Sequence, residues 1–180
     1  MDASSPAGTD LPDADRTAAF RDVLDANTRY AEQFTDTGLP GRAARGLAVV
    51  TCMDSRIEPL KMLGLAKGDA KILRNAGARV TDDVLRTLVL AVALLGVERV
   101  LVVPHTDCGM AKVEDRDVQE AVHACTGVDA RSIDFFTVED QREALERDVQ
   151  RVRSWPFLPG VPVAGAVYDV RTGRLDLVVP

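Results

Sequence analysis

The 180-residue chain has few aromatic residues, few cysteines and histidines, no excess of basic charge and no long apolar run. Phe, Trp and Tyr make up 4% of the residues, so the core has to be built from Val, Leu, Ile and Ala. The 28 acidic side chains outnumber the 22 basic ones, which argues against nucleic acid or an anionic membrane as a partner. The longest apolar run, from Leu88 to Leu95, is far shorter than the roughly 20 residues that span a bilayer.

The three cysteines are an odd number, and in a chain of this length they do not resemble a secreted disulfide framework. The first ten residues, MDASSPAGTD, contain neither the basic nor the apolar region of a secretion signal. We therefore expect reduced thiols, a cytoplasmic location and no membrane partner. Reduced cysteines are most often buried, metal-bound or catalytic, so their positions in the sequence are informative.

The alternation of strand and helix patterns predicts an α/β fold with a mostly parallel sheet. Residues 1–13, rich in Ser, Pro, Gly and Asp, predict a flexible tail, and residues 14–180 predict a single domain. Short apolar, β-branched runs are typical of buried strands, and helical spacing of apolar residues marks the helices. The predicted strands cover residues 46–51, 70–73, 99–104, 163–170 and 174–179. The predicted helices cover residues 13–34, 84–95, 114–124 and 139–152.

The helix predicted over residues 84–95 is apolar on nearly every face. Thr81 has the character of an N-cap, and Asp82 and Asp83 place negative charge in the first helical turn, next to the positive end of the helix dipole. Gly96 ends the helix. A helix that is apolar all round is expected to be buried on both sides, in the core or against a partner subunit.

Cysteine and histidine side chains follow two of the predicted strands. Cys52 comes directly after the first strand, and His105 and Cys108 come after the third. Ligands of open α/β sheets bind beyond the carboxyl ends of the strands, so these three side chains converge if the two strands are neighbours. Two thiolates and one imidazole are a ligand set of catalytic zinc sites, which keep a fourth position open.

Asp54 and Arg56 extend this pattern. Residues two apart in an extended segment point the same way, so both side chains can share a face with Cys52. A carboxylate beside zinc can accept the proton of a bound water or occupy the open position itself. A neighbouring guanidinium holds that carboxylate with two hydrogen bonds and keeps it ionised. Zinc lowers the pKa of its bound water to about 7, which makes hydroxide available at neutral pH.

The segments CMDSR, GDAKILRNAG and HTDCGM, in this order and at these separations, resemble the β-class carbonic anhydrases. The resemblance covers about residues 47–110, and it implies a fold of four parallel strands and a C-terminal antiparallel strand covered by helices. It implies one Zn²⁺ per subunit, bound by Cys52, His105 and Cys108, with Asp54 and Arg56 as the catalytic dyad. It also implies a homodimer or a higher homo-oligomer such as a homotetramer, with the N-terminal helix reaching onto a partner subunit.

The activity that this resemblance implies is the reversible hydration of carbon dioxide to bicarbonate and a proton. Zinc-bound hydroxide would attack the carbon while Asp54 fixes its orientation. The backbone N–H of Gly109 would hold an oxygen of substrate or product, and Val80 would line an apolar wall. Hydrolases of carbonyl sulfide and carbon disulfide share the same motifs, so these two substrates stay open as alternatives.

One cysteine and one histidine are left over. Cys125 lies 17 residues after Cys108 and could add a fourth ligand, which would close the site and favour a non-catalytic zinc-binding protein. The ordinary interpretation of Cys125 is a free thiol at the end of a polar helix. His123 is a candidate proton shuttle or, more simply, a helix-surface residue. Arg74 and Asn75 are expected to brace a turn rather than touch substrate.

Overall fold

The computed structural model of the chain describes residues 17–36 and 38–180. The predicted tail over residues 1–13 and the predicted domain start at residue 14 lie outside these ranges. The chain divides into two compact units, of which the first ends at Leu39 and the second runs from Pro40 to Pro180. The prediction that residues 14–180 form a single domain is therefore not tested and stays a prediction.

The first unit contains helix α1, Arg21–Glu32. The helix ends two residues before the predicted limit at residue 34, and the predicted start at residue 13 lies outside the described residues. Val23, Leu24 and Tyr30 are exposed apolar side chains at helical spacing. The role of this helix in reaching a partner subunit stays a prediction.

The second unit is built around a five-stranded sheet, and the sheet confirms the predicted strand directions. The strands are β1 Leu47–Cys52, β2 Ala70–Asn75, β3 Arg99–Val103, β4 Val163–Tyr168 and β5 Leu175–Val179. Their order across the sheet is β2-β1-β3-β4-β5, with four parallel strands and β5 antiparallel to β4. Because β1 and β3 are hydrogen-bonded neighbours, the residues that follow them meet at one edge of the sheet.

Strand β1 is buried along nearly its whole length. Val49 and Val50 are both buried although adjacent residues in a strand face opposite sides, so both faces of the sheet are covered here. Gly165 in β4 allows helix α5, Gln141–Arg153, to pack closely, because a Cβ at this position would lie 2.9 Å from side-chain atoms of Leu145. Apolar burial on this scale is the main force that holds the sheet and its helices together.

Three further helices complete the second unit: α2 Pro59–Met62, α3 Asp82–Leu95 and α4 Asp115–Thr126. Two 3₁₀ turns, Ala76–Ala78 and Gly109–Ala111, follow β2 and β3. The sequence did not predict α2 or the two turns, because segments of three or four residues are too short to show helical periodicity. Among the described residues, no helix combines the length and apolar character needed to cross a membrane.

Helix α3 confirms both predicted ends. The hydroxyl of Thr81 accepts a hydrogen bond from the backbone N–H of Val84 at 3.4 Å, and Gly96 adopts φ +71°, a left-handed conformation favourable for glycine. Only one face of the helix is buried within the single chain. Leu85 and Leu88 pack into the core, while Leu90 and Leu94 are exposed.

Candidate metal centre

Three buried side chains meet where β1 and β3 end, and we call them the ligand cluster: Cys52, His105 and Cys108. Cys52 is the last residue of β1, while His105 and Cys108 lie in the loop between β3 and the second 3₁₀ turn. Their potential ligand atoms all lie within 4.8 Å of one another. Among residues 17–36 and 38–180, no other group of three His, Cys, Asp or Glu side chains is arranged to hold a metal ion.

His105 presents one ring nitrogen to the cluster. Its Nδ1 lies 2.9 Å from the carbonyl oxygen of Thr106, and a carbonyl can only accept, so Nδ1 carries the proton in the neutral ring. Nε2 is therefore left with a lone pair, and it is buried without a hydrogen-bond partner. The side-chain amide of Gln141 donates to the His105 carbonyl at 2.7 Å and fixes the backbone that carries the ring.

The two thiols of the cluster shift each other's pKa in opposite directions. The hydrogen bond from Cys108 lowers the pKa of Cys52 against the opposing effect of burial, and the neighbouring His105 ring and the backbone N–H groups of Asp54 and Gly77 lower it further. The same thiol–thiol hydrogen bond, together with burial, raises the pKa of Cys108. The contact between the thiols thus favours the ionised form of Cys52 and opposes that of Cys108, and a cation bound between them would favour both thiolates.

The donors of the ligand cluster fit a zinc ion. An imidazole nitrogen buried without a partner is costly, and two thiols beside it supply the sulfur that Zn²⁺ prefers. A single cation bound by these atoms would coordinate Nε2 of His105 and both thiolates together. Three protein ligands are also the number found in catalytic zinc sites.

Asp54 and Arg56 form a pair beside the cluster. The Arg56 guanidinium donates from Nε to Asp54 Oδ1 at 2.9 Å and from Nη2 to Oδ2 at 2.8 Å, and its backbone N–H also donates to Oδ1. These bonds hold the pKa of the Asp54 carboxyl well below its usual range. Oδ2 of Asp54 lies 3.8 Å from Nε2 of His105, which places an ionised carboxylate next to the ligand cluster.

Arg74 braces the loop that carries this pair. Its guanidinium donates to the main-chain carbonyls of Cys52 at 2.9 Å and Asp54 at 2.6 Å. The Asn75 side chain bonds both the N–H and the carbonyl of Arg79 and closes the next turn. The structure therefore confirms the bracing role predicted for both residues.

Asp107 is a residue of this site that the sequence reasoning missed. Arg56 donates from Nη1 to its Oδ2 at 2.8 Å and from Nη2 to its main-chain oxygen at 3.0 Å. Lys112 pairs with the other carboxylate oxygen. Lys112 and Arg56 together lower the pKa of Asp107 to about 2. The available signal was its position between two ligand candidates in HTDCGM.

Arg79 and Asp148 form a second ion pair that the sequence did not reveal. Nε of Arg79 lies 2.7 Å from Oδ2 of Asp148, and the Asp148 side chain is buried while that of Arg79 is 13% exposed. Arg79 also donates to the carbonyl of Phe136 at 3.0 Å. The two partners are 69 residues apart, so no local pattern could have paired them.

The remaining predicted residues have defined positions. Gly109 begins the 3₁₀ turn directly after Cys108. Val80 is buried in the main core, and its carbonyl accepts a hydrogen bond from Arg151 at 2.7 Å. Substrate contact by either residue stays a prediction.

Two other candidate residues lie on helix α4, outside the ligand cluster. Cys125 is an exposed free thiol and does not belong to the group that can hold a metal. The closed Cys₃His site considered for a non-catalytic protein is therefore not formed. His123 is exposed on the same helix, in agreement with the simpler interpretation of it as a surface residue.

Comparisons with known proteins agree with this geometry. A family model described as carbonic anhydrase matches residues 47–175. The β-carbonic anhydrase 1 of Mycobacterium tuberculosis is 38% identical over 163 residues, which cover 88% of this chain and 97% of that protein. A carbon disulfide hydrolase of an Acidianus species is 30% identical over 163 residues, covering 77% of this chain and 78% of that protein.

A solved structure is also similar over most of its length. The crystal structure of a carbonic anhydrase from Streptococcus mutans superposes with a TM-score of 0.84 at 40% identity. The match covers 88% of this chain and 96% of the other. The similarity is thus one of fold over most of both chains.

Proposed function

Since the chain belongs to the β-class carbonic anhydrase family, it is a zinc enzyme, and we propose that it hydrates carbon dioxide reversibly to bicarbonate and a proton. One observation carries the proposal: two thiols and an unpartnered imidazole nitrogen converge beside an ionised carboxylate held by arginine. The related carbonic anhydrases support the same substrate.

We propose Cys52, His105 and Cys108 as the zinc ligands. Their burial removes competing water, and the hydrogen bond from His105 Nδ1 to Thr106 keeps the Nε2 lone pair directed at the cluster. When bound, zinc supplies Lewis acidity that brings the pKa of water close to neutral.

Asp54 is proposed to orient the attacking oxygen. Because Arg56 lowers its pKa, the carboxyl stays ionised at neutral pH and can only accept hydrogen bonds. An O–H group bound at the cluster would therefore donate to Asp54, which would leave an oxygen lone pair facing the substrate. Arg56 keeps the carboxylate in place and prevents its protonation.

The surroundings of the cluster suit a small uncharged substrate. Ile57 and Ala78 are buried with the two cysteines, and Met62, Met110 and Tyr168 pack against them. Apolar side chains of this kind strengthen the electrostatic effect of Asp54, because they exclude water. Gly109 and Val80 remain proposed substrate contacts on the basis of the family resemblance.

The decisive experiment is stopped-flow carbon dioxide hydration with zinc-loaded protein. Hydration above the uncatalysed rate, with a large loss in Asp54→Asn, supports the proposal. No hydration by the wild type between about pH 7 and 9, where zinc-assisted water is ionised, would contradict it.

A second candidate is hydrolysis of carbon disulfide or carbonyl sulfide at the same site. The similarity to the carbon disulfide hydrolase of Acidianus favours testing it. The same preparation is supplied with carbon disulfide or carbonyl sulfide, and release of hydrogen sulfide is measured. Turnover of either compound above that of carbon dioxide would make it the principal substrate.

We further propose that the protein is a homo-oligomer, a dimer or a tetramer. Exposed apolar side chains on α3, Leu90 and Leu94, are a surface of the kind that a second subunit covers. Size-exclusion chromatography with light scattering gives the mass, and a monomer at micromolar concentration would refute the proposal. The cytoplasmic location and the absence of a nucleic-acid partner stay predictions from the sequence.

A further inference from the structure

Asp107 binds the guanidinium that holds Asp54, and it does so from within the metal-binding loop. Its carboxylate and its main-chain oxygen both accept hydrogen bonds from Arg56, at 2.8 and 3.0 Å. Asp107 also lies between two proposed ligands, His105 and Cys108. A single residue therefore joins the ligand loop to the Asp54–Arg56 pair.

The hydrogen bonds of Arg56 show why this contact matters. Nε and Nη2 donate to Asp54, while Nη1 and Nη2 donate to Asp107. The Arg56 side chain is 44% exposed, so packing alone does not fix it. Without the bonds to Asp107, the guanidinium and the carboxylate of Asp54 could turn together as one unit.

The backbone of Asp107 is adapted to this task. Its φ of +58° lies in the left-handed region, which non-glycine residues adopt at a cost of about 1 kcal/mol and which Asp tolerates better than most. Lys112 binds Oδ1 and leaves Oδ2 for Arg56. The carboxylate is thus held from two sides.

We propose that Asp107 is a positioning residue that anchors Arg56 and thereby keeps Asp54 in its paired position, off the point where the ligand cluster binds metal. The inference rests on the proposed zinc site. Asp54 Oδ2 is only 3.8 Å from Nε2 of His105, so a small rotation would bring it within reach of a metal ion. Carboxylate oxygen is an acceptable zinc ligand, so an unanchored Asp54 would compete for the open position.

The test uses protein loaded with Co²⁺, whose visible absorption reports the coordination of the ion. Thiocyanate is titrated into the wild type, Asp107→Gly and Asp107→Asn. Glycine adopts the left-handed conformation freely, so Asp107→Gly removes the carboxylate without backbone strain. Asparagine also tolerates that conformation and keeps an acceptor oxygen for Arg56.

We expect thiocyanate to bind Asp107→Gly about tenfold more weakly than the wild type, as it would if Asp54 occupied the open position in some nine molecules of ten. Asp107→Asn should lie between the two. Adding Asp54→Asn to Asp107→Gly should restore the affinity of the Asp54→Asn single variant. Asp129→Asn, which alters a surface carboxylate, serves as the control and should bind like the wild type.

Two results would overturn the inference. In the first, Asp107→Gly binds thiocyanate as tightly as the wild type. In the second, the double variant stays as weak as Asp107→Gly, which would mean that the loop itself is distorted. The titration needs no turnover, so an inactive wild type would refute carbon dioxide hydration while the thiocyanate affinities still decide the role of Asp107.

Discussion

Two short segments of this protein form the same ion pair and differ in everything around it. The pattern Asp-x-Arg occurs four times in the sequence, and two of the four close into the same ring of hydrogen bonds. In Asp54–Arg56, Nη2 lies 2.8 Å from Oδ2, and the backbone N–H lies 2.9 Å from Oδ1. In Asp129–Arg131, the corresponding distances are 2.7 and 3.0 Å. The same local pattern thus builds this pair at two of its four occurrences, so it permits the ring but does not require it.

The surroundings separate the two pairs. The side chains of Arg131 and Asp129 are 82% and 56% exposed, whereas those of Arg56 and Asp54 are 44% and 18% exposed. Arg56 also binds Asp107, and Asp54 lies beside His105. An exposed ion pair contributes little to stability because water screens it. The same pair next to buried metal ligands becomes part of a reaction site.

The largest expected effect is the loss of bound zinc when a residue of the ligand cluster is replaced. Cys108→Ser removes a thiolate of the ligand cluster, so we expect loss of bound zinc and hydration at the background rate. Cys125→Ser, on the exposed face of α4, is the matched control and should keep both. Zinc is measured by elemental analysis of the purified proteins. Full zinc in Cys108→Ser would remove Cys108 from the ligand set.

The second prediction makes the same Asp→Asn substitution in each of the two pairs. Asp54→Asn should lower kcat for hydration by about 10² to 10⁴, the range typical for loss of a proton-accepting group. Asp129→Asn makes the same chemical change in the same local geometry and should leave kcat unchanged. Stopped-flow assays at equal zinc content compare them. An equal loss of kcat in both variants would mean that the effect of Asp54→Asn is a general structural one and not a consequence of its position beside the ligand cluster.

The third prediction concerns Arg79 and Asp148, an ion pair that is much less exposed than the other two. Asp148→Ala leaves the largely buried Arg79 guanidinium without its carboxylate, which should cost about 3 kcal/mol in the free energy of unfolding. Urea unfolding measures this loss, with Asp129→Ala as the exposed counterpart. Zinc-loaded, folded Asp148→Ala should keep its hydration rate, because the Asp148 carboxylate accepts hydrogen bonds from Arg79 and from no residue of the ligand cluster. A stability equal to that of the wild type would show that the pair is dispensable.

The smallest effect is expected for Arg131→Gln. Arg131 lowers the pKa of Asp129, so the stability from this pair is present above the unfolded carboxyl pKa of about 3.9 and is lost as pH falls through the lower folded value. Removing Arg131 should return the Asp129 pKa toward its ordinary value, which NMR titration detects. Tm at neutral pH should not change measurably, because the pair is exposed. A clear drop in Tm would contradict our view of this pair as surface structure.

Much of the fold was predictable because it depends on local patterns. Apolar runs at β1 and β3 and the caps Thr81 and Gly96 identified strands and one helix with ends correct to within two residues. The converging set Cys52, His105 and Cys108 was predictable as well, because parallel strands place their carboxyl ends at one edge. The short helix α2 carried no periodic signal and was missed.

The sequence by itself determined which residue types stand at the strand ends and that Asp54 and Arg56 are spaced so that they can pair, because both depend on neighbours along the chain. Only the tertiary structure decided that β3 lies next to β1. It also decided that Asp107 binds Arg56, which is 51 residues away in the sequence, and that Arg79 pairs with Asp148, which is 69 residues away. Such contacts follow from packing the sheet and helices together, and packing is set by the whole core. The local sequence supplies the reactive residue types, and the fold brings them together.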